Sequence, residues 1–325
     1  PASLINDAPV VFEDSGLEDY WRPKNYSGKF YGPTPIRLAL TKSRNLVSIR
    51  LLRSVGIQRT LDHVSRFGFD PAALPRSLSL ALGSGSLTLM EILRGYAVLA
   101  NGGYGVQPYV IDSVLDADGQ PVDGWDAPGA SPTCGPCDEV AATSGASSPV
   151  STRPQGPRVL DESNRFLMYS MMQDVVRRGT ARAARSLERT DLAGKTGTTN
   201  DQRDAWFVGF NQGMAAGVWV GFDDNSELGR REVGGRAALP AWIDFMEVAL
   251  ADIPDQPPAI PDGVVTLRID PETGMQANTA NAIYEYFPID NTPPKLAVQT
   301  ASPGAGSAPS AAPVSAVRQQ VEDLF

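Results

Sequence analysis

Three strand-like runs, at 192–199, 205–210 and 214–221, constrain this chain more than any other stretch. Asn200-Asp201 and Asn211-Gln212-Gly213 separate them, and turn residues at that spacing predict an antiparallel three-stranded meander. The first run carries Gly194-Lys195-Thr196-Gly197-Thr198. On an edge strand, those residues would present one fixed cation, hydroxyl donors and bare backbone N–H groups along one line. Such a line suits a substrate with a carboxylate tail and a carbonyl under attack.

A meander needs cover, and the preceding chain offers helices. Pro9-Val10-Val11-Phe12 reads as a short strand, and 21–35 as an ordered loop dense in Pro, Gly, Asn and Tyr, of the kind that lines clefts. Tyr31 in it suits a cleft wall and a loop anchor equally. Thr34-Pro35 predicts a helix start, with Thr as the cap and Pro in the first turn, running to about 42. A second helix is expected over 46–54, with Val47, Leu51 and Val55 on one face and a stop at Gly56. Ser43-Arg44-Asn45 lies between them and, taken alone, reads as a cap and a turn. A short helix follows at 58–67. The Gly/Ser turn at 82–86 lacks the Gly-Lys-Ser/Thr of a phosphate loop. Thr88-x-x-Glu91 is a capping-box pattern opening a helix that puts Leu89, Leu93, Tyr96, Ala97 and Ala100 on one face and ends at Asn101-Gly102-Gly103.

A hairpin is expected around Asp118-Gly119. Residues 126–157 turn to Gly, Pro, Ser, Ala and Thr and read as a long flexible insertion. Residues 161–178 predict a buried helix with an Asp or Ser cap, Phe166, Leu167, Met171 and Val175 inward, Gly179 beyond its end, and a short helix from Thr180. A last amphipathic helix is expected over 241–250. A Pro-rich break at 254–261 leads to one more strand, 264–269, a turn at 270–274, and a Pro/Ala/Ser/Gly tail from 292. The order predicts an α+β fold, helices packed on an antiparallel sheet. The division expected is 1–252 as a catalytic domain and 253–325 as an extension and tail.

Composition excludes several chemistries. A formal charge of −9 argues against a nucleic-acid surface. The single histidine, His63, rules against a His-rich metal site or a Ser-His-Asp triad and reads as structural. Cys134 and Cys137, in Cys-Gly-Pro-Cys, sit in the low-complexity insertion, not after a core strand. A local disulfide or a spectator pair is favoured over redox catalysis, and zinc would need two further ligands. No metal and no cofactor are expected. No run reaches membrane-spanning length. The chain starts at Pro1 and reads as a piece of a longer protein, whose anchor or export signal is expected elsewhere.

The motifs, in their order, resemble the transpeptidase domain of class A (bifunctional) penicillin-binding proteins. The resemblance rests on Pro23-Lys24-Asn25-Tyr26-Ser27-Gly28, Tyr31-Gly32-Pro33-Thr34, Ala39-Leu40-Thr41-Lys42-Ser43-Arg44-Asn45, Tyr96-Ala97-Val98-Leu99-Ala100-Asn101-Gly102-Gly103, and Gly194 to Asp201 with Asp204-Ala205-Trp206-Phe207-Val208-Gly209. It covers about 1–250, and the tail is most similar to the 1A type. It implies the penicillin-binding protein and serine β-lactamase-like fold and peptidoglycan D,D-transpeptidation by an acyl-serine. In that scheme Ser43 relays a proton, Asn45 holds the substrate amide, and Lys195 sets charge near the substrate carboxylate. Thr196 and Thr198 bind that carboxylate, the Thr198 N–H serves the oxyanion, and Gly197 lets substrate approach the strand. Asp204 and Trp206 are expected to brace the turn and pack.

The family's nucleophile lies in Ser-x-x-Lys, and here the sequence departs. The residues three before Lys24, Lys29, Lys42, Lys195 and Lys295 are Trp21, Tyr26, Ala39, Leu192 and Thr292. The resemblance therefore implies that the nucleophile comes from an upstream segment of the same protein. Stem peptides and β-lactams are the implied ligands, and a glycosyltransferase domain, an N-terminal anchor and the periplasmic side of the inner membrane the implied context. A D,D-carboxypeptidase or β-lactamase-type hydrolase, or a non-catalytic β-lactam-binding domain, are the alternatives.

Overall fold

A computed structural model of the chain describes residues 1–12, 20–111, 114–120, 122 and 156–296. Cys134, Cys137, most of the expected insertion and the tail from 297 lie outside the described residues.

The chain opens with an antiparallel pair, β1 (Leu4–Asp7) and β2 (Gly32–Pro35), with Leu4 opposite Pro35 and Asp7 opposite Gly32. The strand expected at 9–12 is thus displaced toward the N-terminus. Pro9 has no N–H to give a ladder, and Phe12 makes only an isolated bridge to Trp21. Asp7 completes β1 because its buried carboxylate accepts from Asn25 Nδ2 at 2.7 and 2.9 Å, a tertiary partner that periodicity does not show.

Three helices follow: α1 (Ile36–Lys42), α2 (Asn45–Val55) and α3 (Ile57–Ser65). Thr34 is not the cap of α1. Its hydroxyl donates to the Gly32 carbonyl at 2.9 Å, and the cap position falls to Pro35. The residue before a proline is pushed to extended backbone, which keeps Thr34 in β2. The expected face of α2 also shifts: Leu46, Val47, Ile49 and Leu52 are buried, while Val55 in the last turn faces solvent.

The capping box forms as read. In α4 (Leu89–Ala100), Thr88 Oγ1 accepts from the Glu91 N–H and Glu91 accepts from the Thr88 N–H. The turn at Asp118-Gly119 closes through an Asp116 N–H to Gln120 carbonyl bond of 2.8 Å. Helix α5 (Glu162–Arg178) is capped by Asp161 and buries Phe166, Leu167, Met171 and Val175.

The meander then appears with its expected order, β3 (Ala193–Thr198), β4 (Asp204–Phe210) and β5 (Ala215–Gly221). Alternation assigns its two faces. Phe207 lies on one face and meets Trp242 edge-on at 4.9 Å, from α7 (Leu239–Ala249), which follows the short α6 (Gly234–Ala237). Ala193 and Phe210 lie on the other, where Phe210 meets Tyr169 of α5 at 4.9 Å and Tyr96 of α4 at 6.1 Å. Helices therefore cover both faces of the antiparallel sheet, and the α+β expectation holds. Gly209 has no side chain because a Cβ there would run into the Trp242 ring.

The expected strand at 264–269 is β6 (Val264–Ile269), and it pairs with β7 (Ile283–Pro288), a strand absent from the sequence-based expectation. This hairpin packs on α5: Val264 clusters with Phe166 and Leu167, and Tyr286 meets Phe166 edge-on at 5.1 Å. No helix among the described residues is long and apolar enough to cross a membrane.

Candidate active site

Ser43 sits where α1 ends, in the left-handed conformation, with φ 53° and ψ 57°. A non-glycine residue there costs on the order of 1–2 kcal/mol, so its surroundings must hold it. Its N–H donates to the Leu40 carbonyl at 3.2 Å. This residue ends α1, and Arg44 in extended backbone leads into α2, so Ser43 stands at the junction of the two helices.

The loop of Lys24 to Tyr31 braces that junction. Asn45 Nδ2 donates to the Lys24 carbonyl at 2.8 Å. Buried Asn25 donates to the Lys29 carbonyl as well as to Asp7, and its Oδ1 accepts the Leu46 N–H in the first turn of α2. The Arg44 guanidinium lies 3.3 Å from the centre of the Tyr31 ring, and Tyr31 Oη donates to Ser27 Oγ at 3.2 Å. Tyr31 anchors the loop while staying partly exposed.

β3 is the edge strand of the meander. In an antiparallel pair, alternate residues turn their N–H and C=O toward and away from the partner. The Thr199 N–H donates to the Asp204 carbonyl at 3.1 Å, and this sets the phase. Thr196 and Thr198 therefore direct their backbone groups to the free edge, and no strand among the described residues pairs with it.

Lys195 reaches across to the helix junction. Its Nζ donates to Ser43 Oγ at 2.9 Å and to the Thr196 carbonyl at 2.9 Å, joining residues 152 apart in sequence. Burial of the ammonium pushes its pKa down to about 8. The neighbouring threonines project to the opposite face. Thr196 Oγ1 pairs with Thr180 Oγ1 at 2.7 Å, and Thr198 Oγ1 accepts from the Gly234 N–H at 3.0 Å. A Cβ at Gly197 would lie 3.0 Å from Trp206 Cβ, so the glycine admits that indole beside the strand.

The structure thus bonds Ser43 to Lys195, places Asn45 two residues on against the Lys24 carbonyl, and turns the Thr196 and Thr198 hydroxyls onto Thr180 and Gly234. Thr180, Gly234 and the bracing role of Asn25 are absent from the sequence-based expectation. The Gly234-Gly235 pair was the available signal, since close backbone approach demands glycine. Asp204 braces the turn as expected, accepting from Thr199 Oγ1 at 3.2 Å and Trp219 Nε1 at 2.9 Å. His63 is exposed and meets Phe67 edge-on at 5.5 Å. A cleft of about 600 Å³ lies elsewhere, among Arg37, Asp174, Arg177, Arg178, Arg185 and Tyr284, and none of the residues above lines it.

A lysine bonded to a hydroxyl, beside an edge strand with outward N–H groups, can move protons and hold an anion. The chain matches the penicillin binding protein transpeptidase domain family over residues 2–228. The chain belongs to this family. It is 46% identical over 320 residues to penicillin-binding protein 1A of Pseudomonas aeruginosa, covering 91% of this chain and 39% of that protein. The crystal structure of penicillin-binding protein 1A from Haemophilus influenzae superposes with a TM-score of 0.78 at 32% identity, over 91% of this chain and 46% of that one. The PonA1 protein of Mycobacterium tuberculosis, solved in complex with penicillin V, shares the fold at a TM-score of 0.59 and 22% identity, over 79% of this chain and 68% of that one. The chain thus spans less than half the length of its penicillin-binding protein 1A relatives.

Proposed function

We propose that this chain is the carboxylate-receiving half of a serine-type peptidoglycan D,D-transpeptidase, part of a bifunctional cell-wall synthase. The observation that carries the reading is the Lys195–Ser43 bond, formed at the free edge of β3. We assign the catalytic part to 1–252 and the extension to 253–325.

In this reading an upstream segment of the same protein supplies a serine and a lysine as Ser-x-x-Lys. The serine Oγ attacks the carbonyl between the two terminal D-alanines and gives up its proton to the base beside it. Ser43, able to donate and accept, passes a proton onward to the departing D-alanine amine. The acyl group then moves from serine to an amine of a neighbouring stem peptide, and the proton path runs in reverse. Asn45 holds the peptide amide of the substrate. Charged Lys195 biases the relay and supplies positive charge near the terminal carboxylate, to which the Thr196 and Thr198 hydroxyls donate while accepting from Thr180 Oγ1 and the Gly234 N–H. The outward N–H of Thr198 stabilises the oxyanion, a contribution of about 3–4 kcal/mol in comparable sites. The open backbone at Gly197 lets the substrate lie along β3. β-Lactams acylate the same serine. The whole protein would act on the periplasmic side of the inner membrane, held there by an anchor outside this chain.

Mass spectrometry with a labelled penicillin tests the reading. The chain alone is expected to gain no adduct. The full-length protein is expected to gain a stable one on the upstream serine. An adduct on Ser43 would sink the assignment, and no adduct on either would favour a non-catalytic domain. Rapid hydrolysis of the adduct by water would favour a carboxypeptidase or β-lactamase.

A further inference from the structure

Glu285 lies in β7, beyond the residues matched to the family, yet it is only 3% exposed and its carboxylate takes the guanidinium of Arg37 in a bidentate grip. Arg37 Nε donates to Oε2 and Nη2 to Oε1, both at 2.6 Å. Paired charges in this fork geometry are among the strong polar contacts. The Tyr286 N–H donates to Oε1 at 2.8 Å and fixes the carboxylate on its own strand.

Arg37 stands in the first turn of α1, and Ser43 closes that helix. A seven-residue helix does not hold itself together in water, so its place comes from its contacts. Arg37 Nη1 donates to Asp174 Oδ2 at 3.1 Å and to the Ser170 carbonyl at 3.0 Å, both on α5. Asp174 also accepts from Arg178 at 2.7 Å, and the Arg178 carbonyl accepts from Lys42 Nζ at 2.7 Å. Both ends of α1 are therefore clamped to α5, and Glu285 supplies the outermost grip. Burial alone would lower the Arg37 pKa, but Glu285 and Asp174 outweigh it and raise it, so the cation persists.

We propose that Glu285 is a positioning residue for the acyl-transfer site: through Arg37 it sets where α1 presents Ser43 to Lys195. The proposal rests on the transpeptidase reading. It makes the C-terminal hairpin a working part of the site, although among the described residues Lys195 Nζ bonds only Ser43 and Thr196 and no hydrogen bond joins β6 or β7 to either Lys195 or Ser43.

The test measures acylation of the full-length protein by a fluorescent penicillin, separating the first-order acylation rate from the dissociation constant of the non-covalent complex. Glu285→Gln is expected to slow acylation at least about tenfold while leaving that dissociation constant within about twofold. Glu272→Gln, exposed in the turn of the same hairpin, is expected to behave as wild type. The double variant Arg37→Met/Glu285→Leu replaces the pair with apolar bulk, a change that often preserves stability. It is expected to restore the melting temperature without restoring the rate, and it decides the matter if Glu285→Gln does not fold. A wild-type rate in Glu285→Gln with only a lower melting temperature would overturn the proposal, as would a double variant that recovers rate along with stability. A wild-type protein that is never acylated would instead remove the transpeptidase reading itself.

Discussion

Lys195 loses hydration where β3 meets the α1–α2 junction, and its pKa falls from the ordinary 10.5 to about 8. Below that value it is a cation able to meet a carboxylate, and above it a neutral amine. Penicillin acylation of the full-length protein is therefore expected to fall as pH rises through about 8. Lys195→Ala should be at least about tenfold slower near pH 7 and lack that limb, and Thr198→Val similarly slower with the limb intact. Acylation rates at wild-type level in both variants would place the site elsewhere. The stability sign runs the other way. The folded pKa is depressed below the unfolded one, so between about 8 and 10.5 the unfolded chain holds more protons. The cost of the buried ammonium is thus fully present below 8 and relieved as pH rises through that window. The local motif made Lys195 and Thr198 legible. Thr180 and Gly234 were not, because their partners, Thr196 and Thr198, lie 16 and 36 residues away.

Among the elements, those ruled by local chemistry match their expectation. The capping box of α4 and the Asp161 cap of α5 are bonds between residues three apart, so spacing alone reveals them. β1 and the buried face of α2 depart because each is decided by what packs on it. The end of α5 shows how tight such contacts are. A Cβ at Gly179 would collide with the Thr41 carbonyl oxygen of α1 and with the Val175 backbone. Gly179→Ala is expected to destabilise the protein by about 1–3 kcal/mol, read by urea denaturation, since backbone must move to admit it. It should also slow acylation, because Thr41 lies two residues before Ser43. Unchanged stability would mean that α1 and α5 are not held together here.

At the scale of the molecule, residues far apart in sequence share one structure. The β6–β7 hairpin covers Phe166 and Leu167 of α5 and pairs Arg37 through Glu285. Truncation after Asp262 is expected to cost about 3–5 kcal/mol, the usual penalty for leaving half of a buried ion pair. Denaturant titration of the full and truncated proteins measures it, and equal midpoints would show that the hairpin is only an appendage.

What the sequence by itself determined was local: strand spacing, turn residues, caps, the Lys-Thr-Gly line, and the want of a Ser-x-x-Lys. These depend on residues a few positions apart, whose chemistry and periodicity can be read directly. Only the tertiary structure decided that Lys195 reaches Ser43, that the Thr196 and Thr198 hydroxyls bond Thr180 and Gly234, and that Glu285 grips Arg37 from 248 residues away. Those pairings form only when helices close over the sheet, because burial is what makes each polar group find a partner.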